Sequence, residues 1–145
     1  MIAYYDANYL FKLQCVEHGT NEIRTHAASV QTLYSAIHAR ADYTSAAFRN
    51  VREGKASPAQ FRSFLAQMHA DAASGSLIFL PLTDAIIDRV ENAFLTAPAT
   101  TYLRAADALH LATAAEHGFA EIYSNDRHLL AAAPLFGLVG VNVIP

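Results

Sequence analysis

Short apolar runs separated by helical stretches recur along the whole chain, and that alternation limits the fold more than any other feature. Residues 2–5, 30–34, 77–80, 122–124 and 139–144 read as strands. Between them lie helices. The first starts at Asp6-Ala7-Asn8 and runs through Leu10, Phe11 and Leu13, with Gly19 as its stop; a second covers residues 22–28. Ser35 is the expected cap of the helix over 39–51, which ends near Gly54. Ser57-Pro58 opens another, with Pro58 at its first position, carrying Phe61, Phe64, Leu65 and Met68 at helical spacing up to Gly75. Further helices follow from Thr83-Asp84 to a break at Pro98, over 103–117 with Gly118 closing it, and over 126–133. Strands that alternate with helices argue for a parallel sheet with helical cover. In such sheets, sites form beyond the carboxyl ends of the strands.

With 145 residues, 53% of them hydrophobic, the chain suits one domain, residues 1–145, with a real core. Net charge is −3 and there is no block of Lys or Arg, so nothing marks a strong duplex binder. The one cysteine, Cys15, excludes an internal disulfide and fits a reducing compartment. No segment reaches the roughly 18 consecutive apolar residues of a membrane span, and the first residues do not read as a signal peptide. The expectation is a cytoplasmic protein.

Against this background, Asp107 is conspicuous. It sits in Leu103-Arg104-Ala105-Ala106-Asp107-Ala108-Leu109-His110-Leu111-Ala112, a helix otherwise rich in Ala and Leu. A desolvated carboxylate must be paired, protonated or bound to a cation. Asp6 ends the first strand and Asp126 follows the fourth, both where a parallel sheet builds its sites; Asp42 lies on the helix after strand two. Four acids so distant in sequence can converge on a divalent cation, and Mg²⁺ or Mn²⁺ prefers carboxylate and water oxygens. Plainer roles stand beside this one. Asp6 and Asp126 can cap helices, Asp107 can pair with Arg104 at i−3, and Asp42 can be solvated or partner Arg49. His110, at i+3 from Asp107, reads first as a packed helix residue and His38 as an exposed one; the seven histidines show no zinc spacing of the HExxH kind. Arg49, Arg52 and Lys55 form a basic stretch that is a solvated face or a track for a polyanion.

The ordered set of motifs resembles the PIN domain family. Tyr4-Tyr5-Asp6-Ala7-Asn8 is similar to its opening strand, the segment around Asp107 to its third-acid helix, and Tyr123-Ser124-Asn125-Asp126-Arg127-His128-Leu129 to its fourth-acid motif. The similarity is nearest to the VapC toxins of bacterial toxin–antitoxin pairs and spans essentially the whole chain. It implies a three-layer α/β/α sandwich with a central, mainly parallel sheet of four to five strands. It implies catalytic, metal-binding acids at Asp6, Asp107 and Asp126, with Asp42 in the place usually held by a Glu, a side chain one methylene longer. Asn8, which stands where many relatives have Ser or Thr, joins Ser124, Asn125 and Arg104 as supporting residues. The implied activity is Mg²⁺- or Mn²⁺-dependent endoribonuclease cleavage leaving a 5′-phosphate and a 3′-hydroxyl. The implied partners are an RNA substrate, a VapB-like antitoxin and a second copy of the chain in a homodimer, with the apolar helices after Ser57 as candidate surfaces. The alternatives are a PIN-like RNA- or protein-binding module with weakened catalysis, motivated by Asp42, and a phosphotransfer enzyme with Asp6 as nucleophile. The second lacks the acid two residues on (Asn8) and a late lysine, since Lys12 and Lys55 are the only lysines.

Overall fold

Side chains on successive strand residues point to opposite faces of a sheet, and the first strand uses both. A computed structural model describes residues 1–145. In it, Ala3 and Tyr5 enter one buried cluster and Tyr4 enters another. Both faces of β1 (Ile2–Tyr4) are therefore covered, as a parallel strand requires. The first cluster draws on α1 (Ala7–Gln14), α2 (Thr20–Ala28), α3 (Ala39–Arg52) and α4 (Pro58–Ser74). The second draws on α6 (Ala105–Glu116), α7 (Arg127–Ala132) and the 3₁₀ turn Ala133–Phe136. This is the three-layer α/β/α arrangement.

The remaining strands are β2 (Thr32–Ala36), β3 (Leu77–Leu80), β4 (Glu121–Tyr123) and β5 (Val139–Val141), and α5 (Asp84–Thr96) packs outside α6. β1 pairs with β2 and β2 with β3, while β4 pairs with β5, all parallel. The two groups meet where Tyr5 bridges Tyr123 and the amide of Asp6 donates to the Tyr123 carbonyl at 3.1 Å. The strand order is thus β3-β2-β1-β4-β5. The chain winds outward from β1 through β2 and β3, then returns to the other side of β1. That reversal opens a crevice at the carboxyl ends of β1 and β4.

Four local expectations are corrected. The second strand is Thr32–Ala36 rather than 30–34, because Ser35 and Ala36 pair with Phe79 and Leu80 of β3. Ser35 is consequently buried within the strand and caps nothing; His38 occupies the N-cap of α3 without a side-chain bond. Gly19 does not end the first helix, which stops at Gln14; it precedes α2 with φ +89°, and a Cβ there would sit 2.4 Å from the Ile144 side chain. The last strand is also shorter than expected, ending at Val141. One further glycine matters for the site. Gly140 lets α7 lie directly on β5, since a Cβ would meet the Leu130 backbone at 3.0 Å. No helix is long and apolar enough to cross a membrane.

Candidate active site

Asp6 follows β1 directly and caps α1 in extended backbone, so its carboxylate is fixed at the switch point. Oδ1 accepts the Tyr9 amide at 2.9 Å and Oδ2 accepts the Ser124 hydroxyl at 2.5 Å. The residue is 4% exposed. Burial pushes its carboxyl up to about 7. The bonds from Ser124 and Tyr9 act against that rise, and the charges of Asp107 and Asp126 add to it.

Asp126 caps α7 in the same way. Its Oδ1 accepts the His128 and Leu129 amides at 2.8 and 3.1 Å. Its own amide donates to Ser124 Oγ at 2.9 Å. Ser124, fully buried after β4, therefore links the two capping acids in one chain of hydrogen bonds. The capping role expected for each acid is real, and it leaves cation-binding capacity intact: capping consumes one oxygen of Asp126, and a carboxylate oxygen has two lone pairs.

Asp107 stands in the first turn of α6, which starts at Ala105 with Arg104 as N-cap. Its Oδ2 is buried without a hydrogen-bond partner and lies 3.8 Å from Arg104 Nε. Burial raises its pKa, and Asp126 raises it further; Arg104 opposes and Asp42 adds a weaker push. Arg104 also reaches within 4.0 Å of Asp126 Oδ2 through Nη2. One exposed guanidinium thus faces two acids.

Asp6, Asp42, Asp107 and Asp126 all line one cleft of about 500 Å³. Asn8 and Arg104 line it too, whereas Asn125 is exposed and does not. Asp42 differs from the other three. Its side chain is 46% exposed, and its Oδ2 lies 4.0 Å from His38 Nε2. It influences Asp107 electrostatically but is not among the groups that shift Asp6.

Some cleft residues were less legible from sequence. Arg49 and Arg52 line it, while Lys55 turns aside to Glu53 at 3.0 Å. His110 lines it as well, 2% exposed, with Nδ1 2.8 Å from the Tyr4 hydroxyl. The i+3 spacing from Asp107 was the available signal. His38 is partly covered rather than exposed, with Nε2 3.0 Å from the Ala106 carbonyl.

The donor set fits a hard divalent cation. Three carboxylates from separate elements line one cleft, one oxygen of Asp107 is buried with no partner, and burial, with the charges of Asp107 and Asp126, disfavours ionisation of Asp6.

The family model for the PIN domain matches residues 6–134 of this sequence. No curated protein sequence is significantly similar to it. Among solved structures, that of FitAB bound to the IR36 DNA fragment superimposes with a TM-score of 0.68. That likeness covers 99% of this chain and 95% of the other at 14% identity, and it is a likeness of fold.

Proposed function

The chain belongs to the PIN domain family, and from that premise we propose that it is a divalent-metal-dependent endoribonuclease, the toxin of a toxin–antitoxin pair. The observation that carries this reading is the convergence of Asp6, Asp107 and Asp126 in one cleft at the sheet's switch point, two of them held above the ordinary carboxylate range. In this reading those three residues hold Mg²⁺ or Mn²⁺, with Asp42 contributing from the rim. A bound cation supplies an activated water and stabilises the charge that develops on phosphodiester oxygens.

The chain's own groups do the rest. Ser124 orients the Asp6 carboxylate through its hydroxyl while it accepts the Asp126 amide. Arg104, exposed beside two acids, is placed to meet the scissile phosphate. Arg49 and Arg52, on the α3 wall, take flanking phosphates of an RNA strand. These local cations matter because the net charge of −3 repels a polyanion overall. No Ser, Cys or His nucleophile is required.

A VapB-like antitoxin is the partner that the resemblance to VapC toxins implies, and a basic tail that meets the cleft acids is compatible with it. The FitAB structure contains DNA; a complex built on this chain would owe any grip on DNA to a basic partner, because the chain has no basic block of its own. A homodimer completes the proposed assembly, with the α4 region as its candidate surface. A second reading, a PIN-like binding module with weakened catalysis, is favoured by one observation: Asp42 lies toward His38 and is nearly half exposed.

Incubating the purified protein with structured RNA and Mg²⁺ or Mn²⁺ separates the two. Cleavage that EDTA and Asp107→Asn both abolish supports the nuclease. Cleavage that survives chelation overturns the metal mechanism, and tight RNA binding without cleavage supports the module.

A further inference from the structure

His110 presents an anomaly that the acid site does not explain. Its Nε2 is buried with no hydrogen-bond partner, although the ring lines the cleft. A buried polar nitrogen left unpaired is costly and calls for a ligand. Two other donors stand beside it. The His38 ring lies 4.2 Å from the His110 ring, centroid to centroid, and Asp42 is one helical turn from His38 on α3. One potential donor atom from each of His38, Asp42 and His110 lies within 4.8 Å of the other two.

We propose that His38, Asp42 and His110 form a binding site for a borderline divalent transition metal of the Zn²⁺ class, separate from the all-oxygen set of Asp6, Asp107 and Asp126. Two imidazoles and one carboxylate match what Zn²⁺ takes in sites that keep a fourth position open, whereas Mg²⁺ avoids nitrogen. The surroundings support His110 as a ligand. Nδ1 lies 2.8 Å from the Tyr4 hydroxyl, and in the tautomer that donates Nδ1–H to that oxygen Nε2 carries a bare lone pair, with the second ring nitrogen held by an outer partner as in a metal-bound histidine. His38 gives up one partly exposed hydrogen bond, to the Ala106 carbonyl, when it turns to the metal. The shorter side chain of Asp42 then has a role of its own: it completes a nitrogen-bearing site on the wall of the cleft. The binding claim does not rest on the nuclease reading, because it requires no RNA and no turnover.

The test uses Co²⁺ as a spectroscopic probe on the chelator-stripped full-length protein, followed by competition with Zn²⁺. The expected result is a set of intense visible bands of a low-coordinate nitrogen-containing site that saturates at one equivalent of Co²⁺, over any pale signal from the oxygen set, displaced by Zn²⁺ and retained in Asp107→Asn. His38→Gln, at a partly exposed position, is expected to bleach those bands and weaken binding by at least about tenfold. His110→Gln, checked by circular dichroism for an intact fold, is expected to do the same. Bands that persist in His38→Gln but vanish in Asp107→Asn would assign the metal to the acids and overturn the proposal, as would the absence of saturable Co²⁺ and Zn²⁺ binding. Loss of RNA cleavage with the Co²⁺ spectrum intact would count against the nuclease and leave this site standing.

Discussion

The Ser124 hydroxyl donates to Asp6 Oδ2 at 2.5 Å across 118 residues of sequence, and Ser124 Oγ in turn accepts the Asp126 amide at 2.9 Å. One small side chain thereby sets the spacing between two capping acids and moderates the buried charge of the first.

Ser124→Ala removes that moderation. The Asp6 carboxyl should rise beyond its present value near 7, because the Ser124 bond is the leading influence holding it down. The acid limb of the pH–rate profile for RNA cleavage should shift upward, with kcat reduced about 10- to 100-fold at pH 7. A profile that keeps its shape and position would show that Ser124 only packs.

Asp6 also makes stability depend on pH. Its folded carboxyl titrates near 7 and its unfolded one near 4, so between those values the folded chain holds more protons. The stability that Asp6 contributes is full below about pH 4 and is lost as pH rises to about 7, a difference of about 3–4 kcal/mol in the absence of metal. His110 works in the opposite direction: below about pH 6.5 the unfolded ring gains a proton that the buried folded ring resists, so stability falls as the pH falls. Urea unfolding in EDTA should therefore compare Asp6→Asn with the parent chain at each pH. The variant should gain relative stability from pH 5 to pH 8, by about 2 kcal/mol or more. A constant difference across that range would contradict the burial of a titrating Asp6.

The four acids should not be equivalent. Asp107→Asn is expected to reduce cleavage at least about 1,000-fold, since Asp107 turns a partnerless buried oxygen into the cleft. Asp42→Asn, at a side chain 46% exposed, should cost less than about tenfold in Mg²⁺. Steady-state rates on one RNA substrate decide this; equal losses would place Asp42 in the oxygen set after all.

Arg104→Ala should raise KM for RNA more than it lowers kcat, and should flatten the salt dependence of binding by about one counterion. It should also raise the Asp107 pKa further, because Arg104 is the main influence lowering it. An unchanged salt slope would mean that Arg104 serves the acids alone.

The alternation of strands and helices was legible because its signals are local: Ser57-Pro58 forms a capping box with Gln60, and Asp6 and Asp126 begin helices. The acids at strand ends were legible for the same reason. Ser35 was misread because a strand's length is set by its neighbour: pairing with Phe79 overrides a serine's preference for caps. The switch point could not be read at all, since the single bridge from Tyr5 to Tyr123 is a product of tertiary winding. His38 and His110 fall in the same class. No spacing rule finds a pair in which His38 follows β2 as the N-cap of α3 and His110 rides on α6, packed against that same strand from a distant part of the sequence.

The most direct measurement is a crystal structure with Mn²⁺, using its anomalous signal to locate the ion. The expected peak is bounded by Asp6, Asp107 and Asp126, with Ser124 still bonded to Asp6. A peak lying elsewhere, with those three carboxylates free of metal at saturating Mn²⁺, would contradict it.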